Sequence, residues 1–124
     1  MMKALVVDDS RVMRVLLSNV LKEVGFTDVA QAPHGGEGLT YLCAHPDTAL
    51  ALVDWNMPEM TGIEMVEAVR KNSALDGVRL VMVTTECESA QAALAKSLGA
   101  NEFLTKPFTK ELIASKLKQL GLSL

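Results

Sequence analysis

Cysteine, positive charge and long apolar runs are what this sequence has least of. Its 124 residues include only Cys43 and Cys87, too few and too far apart for a disulfide framework or a cysteine-based zinc site. Lys and Arg total 12 against 15 Asp and Glu, a formal net charge of −3. That balance argues against the basic face which nucleic-acid binding usually needs. No apolar run approaches the ~18 residues of a membrane span. The N-terminus passes from Met1-Met2-Lys3-Ala4-Leu5-Val6-Val7 directly into Asp8-Asp9, without the apolar region of a signal peptide. Linkers, low-complexity stretches and internal repeats are missing too. These absences predict one soluble, cytoplasmic domain over residues 1–124, burying roughly two thirds of the unfolded chain's surface.

What the chain does have is a regular alternation. Short apolar runs rich in β-branched residues occur at Ala4–Val7, Ala49–Val53 and Val78–Val83, with weaker ones at Asp28–Ala32 and Glu102–Thr105. Leu50-Ala51-Leu52-Val53 and Leu80-Val81-Met82-Val83 are apolar on both faces, as strands of a parallel sheet covered on both sides must be. Between the runs lie segments of helical period. Val12, Leu16, Leu17, Val20, Leu21 and Val24 form one stripe, with Ser10 as N-cap and Gly25 as the terminating glycine. Further helices are expected over about Gly36–Ala44, Thr61–Lys71, Glu88–Leu98 and Thr109–Leu120. Thr61 and Glu64 form a capping-box pattern, and Gly99 ends the fourth helix. Five βα units with short connections predict a doubly wound (βα)5 α/β sandwich, for which the flavodoxin-like strand order 2-1-3-4-5 is an option.

Open α/β sheets build their sites at the carboxyl ends of the strands. Asp8 and Asp9 follow the first run, Asp54 the third, Thr84 the fourth and Lys106 the fifth. Two unit charges ~5 Å apart at an effective dielectric near 20 repel by about 3 kcal/mol, so three carboxylates in one crevice call for a compensating cation. Lys106 neutralises one charge. A hard divalent ion with oxygen ligands is the natural remainder, and Mg²⁺ shares its shell with phosphate oxygens. Singly, an Asp after a strand is more often a turn residue or cap. Acid pair, acid, hydroxyl and lysine closing four different strands in that order are not an accident of turns.

At these residues the chain resembles the receiver domain of two-component response regulators. The motifs are Val7-Asp8-Asp9-Ser10, Asp54-Trp55-Asn56-Met57-Pro58 with Gly62, Val83-Thr84, and Lys106-Pro107-Phe108, and they span the whole chain. Their particular versions look most like the stand-alone, chemotaxis-type (CheY-like) regulators. The resemblance implies that Asp54 is the phosphoacceptor, served by the phosphohistidine of a sensor histidine kinase or a phosphotransfer protein. Asp9, Asp54 and the backbone carbonyl of Asn56 would bind Mg²⁺, with Asp8 acting through a water. Lys106 would pair with Asp54 and then with the phosphoryl group, and Thr84 would donate its hydroxyl to it. The bond before Pro107 is commonly cis in the family. Asn56 and Glu86 stand where the family tunes the lifetime of the phosphorylated state, and predict fast self-dephosphorylation. Phe103 takes the place of the aromatic switch, usually Tyr in chemotaxis regulators, and Thr85 replaces a small residue, with bulk that restricts access. Output would pass through the face of the fourth helix, fifth strand and fifth helix to a downstream protein in trans, from a monomer with no separate output domain.

Ala90, Ala92, Ala93 and Ala95 offer that face a run of small residues, although alanines also simply pack or maintain helicity. Most of the seven methionines are expected as core filler. His34, His45, Cys43 and Cys87 show no ligand spacing, and Gly35-Gly36-Glu37-Gly38 reads as a loop and helix start rather than a nucleotide loop. The alternative to a switch is a Mg²⁺-dependent phosphatase with an aspartyl nucleophile. Such enzymes want a second acid two residues on, where Asn56 stands. A flavin-binding protein would have to place its phosphate beside Asp8 and Asp9, which repel it. A constitutive interaction domain is disfavoured because every position of the phosphosite is filled.

Overall fold

The computed structural model describes residues 2–57, 59–85, 89–106 and 108–122. Five strands alternate with five helices: β1 (Lys3–Val7), α1 (Arg11–Val24), β2 (Asp28–Ala32), α2 (Gly35–Ala44), β3 (Leu50–Asp54), α3 (Gly62–Arg70), β4 (Arg79–Thr84), α4 (Ser89–Ser97), β5 (Glu102–Thr105) and α5 (Lys110–Gln119). A single 3-10 turn at Ser73–Leu75, which the sequence pattern does not announce, joins α3 to β4. All pairings are parallel and the order is β2-β1-β3-β4-β5. The expected doubly wound sandwich is therefore the observed one.

Pleating divides the core in two. Leu5, Val7, Ala51, Val53, Leu80 and Met82 point to one face, where Leu42, Met65, Val66, Val69 and Ala95 from α2, α3 and α4 cover them. Ala4, Val6, Leu50, Leu52, Val81 and Val83 point to the other, under Leu17 and Leu21 of α1 and Ile113 and Leu117 of α5. Each such Val, Leu, Ile or Met side chain contributes about 1.5–3 kcal/mol when fully buried, which is why continuous apolar strands are tolerated only between two helical layers. The helix ends follow the capping rules. Ser10 Oγ accepts from the Met13 N–H at 3.2 Å, and Thr61 and Glu64 exchange the two bonds of a capping box at 3.2 and 3.1 Å. Gly25 and Gly99 take the positive φ of 125° and 118° expected of helix-ending glycines.

Three expectations need correcting. The α1 stripe is rotated: Leu17, Ser18 and Leu21 are its buried residues, whereas Val12 is 79% and Leu16 48% exposed. The face that meets the sheet centres on Leu17 and Leu21, which leaves position 12 to solvent. The alanines of α4 do not share one face, since Ala92 and Ala95 are buried and Ala90 and Ala93 exposed. Asp54 and Thr84 are the last residues of β3 and β4 rather than the first beyond them, opposite Val83 and Thr105 in the ladders. Of the methionines, Met57, Met65 and Met82 lie in the core.

Candidate functional site: an acidic pocket at the carboxyl edge of the sheet

The central strands β1 and β3 are neighbours in the sheet, so their carboxyl ends deliver Asp8, Asp9 and Asp54 to one place. Each contributes an oxygen to a group whose members all lie within 4.8 Å of one another. Asp8 and Asp54 are buried and Asp9 is exposed. Backbone contacts hold the acidic pair. The Asp8 N–H donates to the Ala32 carbonyl of β2 at 3.1 Å, and Asp8 Oδ1 accepts from the Ser10 N–H at 2.8 Å. Arg14, on the first turn of α1, donates from Nη1 to the Asp8 carbonyl at 2.7 Å. The sequence reading missed Arg14, although its place six residues beyond Asp8 and one turn into a capped helix brings it back over that carbonyl.

Asp54 is held from behind. The Trp55 N–H donates to Val83 O at 3.0 Å and the Gly62 N–H to Trp55 O at 3.1 Å. A Cβ on Gly62 would stand 2.5 Å from the Asp54 carbonyl oxygen and 2.5 Å from Met82 Cε. Glycine is therefore required where α3 starts against the end of β3. In the intervening loop Asn56 is exposed, and Glu59 adopts a φ of 68°, a conformation that costs a side-chain-bearing residue free energy.

Lys106, just past β5, reaches the acids from the other side. Its Nζ lies 3.6 Å from Asp8 Oδ2 and 3.6 Å from Asp54 Oδ1, close enough for ion pairing and too long for a hydrogen bond to either. Asp8 Oδ2 is consequently a buried carboxylate oxygen with no hydrogen-bond partner. Burial, and next the charge of Asp8, push the Asp54 carboxyl up to about 6 from its ordinary 3.8, with Lys106 opposing. One ammonium facing three carboxylates, one of them with a buried oxygen that accepts no hydrogen bond, is an arrangement a divalent cation completes. Hard oxygen donors and partial burial fit Mg²⁺.

Thr84 is buried at the end of β4, and Thr85 beside it is exposed. Phe103 sits opposite Met82 in the ladder and packs partly against the core cluster under α2, α3 and α4. Since Met82 and Thr84 are two apart on one strand, Phe103 and Thr84 share that face of the sheet. Glu86, with its expected influence on lifetime, Pro107 with its expected cis bond, Pro58 and Cys87 lie outside the described residues. The residues assigned no chemistry have structural places. His34 caps α2, its Nδ1 accepting from the Glu37 N–H at 3.2 Å, and the His45 ring stacks on Tyr41 at 4.1 Å. Gly35 opens α2, and a Cβ on Gly38 would meet Val7 Cγ2 at 2.8 Å, so these glycines serve close packing.

Sheet order and acidic edge together define the receiver class of signalling domain. The response regulator receiver domain model matches residues 4–118, and the chain belongs to this family. Among its relatives, the chemotaxis protein CheY1 of Helicobacter pylori is 42% identical over 117 residues, which are 94% of either chain. The chemotaxis protein CheY of Pseudomonas aeruginosa is 39% identical over 120 residues, 96% of this chain and 95% of that one. The solved structure of Vibrio cholerae chemotaxis protein CheY4 superposes with a TM-score of 0.89 at 35% identity, covering 96% of this chain and 98% of the other. The chain is thus a signalling switch related to chemotaxis response regulators and not a turnover enzyme, which sets the phosphatase alternative aside. Among the described residues, no helix is long and apolar enough to cross a membrane.

Proposed function

We propose that Asp54 accepts a phosphoryl group from the phosphohistidine of a sensor histidine kinase or phosphotransfer protein, and that the altered domain then signals to a protein partner. The observation that carries this is the meeting of Asp8, Asp9 and Asp54 with Lys106 at one edge of a receiver fold. A carboxylate oxygen of Asp54 attacks phosphorus, the P–N bond to the donor imidazole breaks, and the imidazole leaves with the bonding pair and is protonated by solvent. Lys106, already equidistant from Asp8 and Asp54, holds the developing charge on the phosphoryl oxygens, and Thr84 donates its hydroxyl to one of them. Asp9, Asp54 and the Asn56 carbonyl would hold Mg²⁺ directly and Asp8 through a water; the ion supplies charge neutralisation for the incoming phosphoryl group. Water attacking phosphorus returns Asp54 and releases phosphate, and Asn56 and Glu86 make this reset fast for the family. Thr85, exposed at the rim, slows small donors.

The donor arrives over α1. Val12, Val15 and Leu16 are exposed on α1, which begins two residues after Asp9, and offer a protein donor an apolar stripe. Output leaves through α4, β5 and α5, as Phe103 turns inward when Thr84 is drawn to the phosphoryl group. The relatives' names support a chemotaxis-like pathway; on this reading the chain acts in trans, as a monomer in the cytoplasm.

Trp55, the only tryptophan, adjoins Asp54 and reports the site. Its fluorescence is expected to change with Mg²⁺ and again with beryllofluoride or a phosphodonor, in the wild type and not in Asp54→Asn. No Mg²⁺-dependent response to a kinase donor, or an undiminished one in Asp54→Asn, would falsify the reading.

A further inference from the structure

The β5 edge carries an arrangement that the phosphosite does not require. Two ammonium groups approach the Phe103 ring, Lys96 Nζ of α4 at 5.4 Å and Lys116 Nζ of α5 at 5.8 Å from its centroid. Both are within the ~6 Å at which a cation is attracted to an aromatic face. Two like charges over one ring would repel, and Glu102 prevents this: its Oε1 is 3.6 Å from Lys96 Nζ and 3.5 Å from Lys116 Nζ. The same oxygen accepts from the Phe103 N–H at 3.1 Å. The Glu102 side chain is only 17% exposed, so these charges are partly shielded from solvent. One ring and one carboxylate therefore tie α4, β5 and α5 together.

We propose that Lys96 and Lys116 latch Phe103 in the resting position, and that their hold on the ring sets how readily the phosphorylated state is reached. This rests on the switch reading above, in which Phe103 moves inward. On that reading the moving ring leaves both cations, and the two contacts belong to the resting state alone. Interactions confined to the resting state lower the apparent affinity of anything that favours the active one. Phenylalanine has no hydroxyl with which to hold either position by a hydrogen bond, so the flanking cations supply the holding force. Lys96 and Lys116 are thus positioning residues acting through Phe103. The competing account is that their methylene stems merely cover an apolar ring.

Beryllofluoride affinity in saturating Mg²⁺, measured by titration calorimetry on the whole chain, separates the two. Lys96→Met/Lys116→Met keeps the stems and removes the cations. It is expected to bind beryllofluoride about four- to twenty-fivefold more tightly, since each exposed cation–π contact corresponds to about a two- to fivefold bias. Loss of two positive charges by itself weakens binding of an anion, so general electrostatics has the opposite sign. Lys96→Arg/Lys116→Arg retains the cations and is expected to return the affinity to the wild-type value. In fluorophenylalanine-labelled protein, the ¹⁹F resonance assigned to Phe103 should shift toward its beryllofluoride-bound position in the methionine variant before any ligand is added. Unchanged or weaker affinity with an unmoved resonance overturns the latch. Absence of Mg²⁺-dependent beryllofluoride binding in the wild type instead overturns the switch reading on which it stands.

Discussion

Asp54 carries opposite consequences for folding and for chemistry. Burial and Asp8 raise its carboxyl to about 6, so in metal-free protein the folded state holds its proton more tightly than the unfolded chain, whose value is near 3.8. Folding is therefore penalised at pH 7, where that proton is lost, and the penalty fades as pH falls from 6 toward 4. Asp54→Asn should melt at a higher temperature than the wild type at pH 7 without metal, with the gap closing by about pH 4; a calorimetric pH series checks this. The same substitution should abolish phosphoryl acceptance. Gly62 makes a second residue-scale case. Its missing Cβ leaves room for the Asp54 carbonyl, which is backbone and cannot step aside. Gly62→Ala is expected to cost about 1–3 kcal/mol in urea denaturation and to weaken Mg²⁺ binding by displacing the end of β3. The convergence of Asp8, Asp9 and Asp54 was legible in the sequence because all three stand at the ends of apolar runs. Arg14 was not, because a contact to a backbone carbonyl leaves no mark in residue chemistry.

At the scale of elements, α1 presents two faces with different work. Leu17 and Leu21 anchor it, while Val12, Val15 and Leu16 are exposed. Leu16→Asp should change stability by no more than about 0.5 kcal/mol, as exposed substitutions do. It should slow phosphotransfer from a protein donor severalfold while leaving acetyl phosphate unaffected, which stopped-flow Trp55 fluorescence can compare. The helical period placed α1 correctly but not its rotation, because which residues meet the sheet depends on how the helix docks and not on period alone. Arg70 at the end of α3 is the second case. Its guanidinium donates to the carbonyls of Gly99, Leu75 and Val78 at 2.9, 3.0 and 2.7 Å and to Asn101 Oδ1 at 3.0 Å. Asn101 Oδ1 in turn accepts from the Leu80 N–H at 2.8 Å, so one side chain fastens the end of α4 to β4. Arg70→Ala is expected to cost about 3 kcal/mol, since it strands several part-buried carbonyls, and Arg70→Lys should recover little of it because one ammonium cannot reproduce the fork.

For the whole molecule, the sheet order is what turns scattered residues into a site. With β1 beside β3, the acids of residues 8, 9 and 54 converge on one pocket with Lys106. Mg²⁺ should accordingly raise the melting temperature of the wild type, contributing about 1.4 kcal/mol when the ion is near ten times its dissociation constant. Chelation should reverse this, and Asp9→Asn should blunt it. The sequence by itself determined the five βα units, their caps and the polar residues at strand ends, because these follow from local period, turn chemistry and the demand that a doubly covered strand be apolar throughout. It determined the family as well, since ordered motifs survive without coordinates. Only the tertiary structure decided that Asp8 keeps a buried oxygen without a hydrogen bond, that Val12 and Leu16 face outward, and that Lys96 and Lys116 approach Phe103. These depend on distances between elements far apart in the chain, which packing sets and no local pattern encodes.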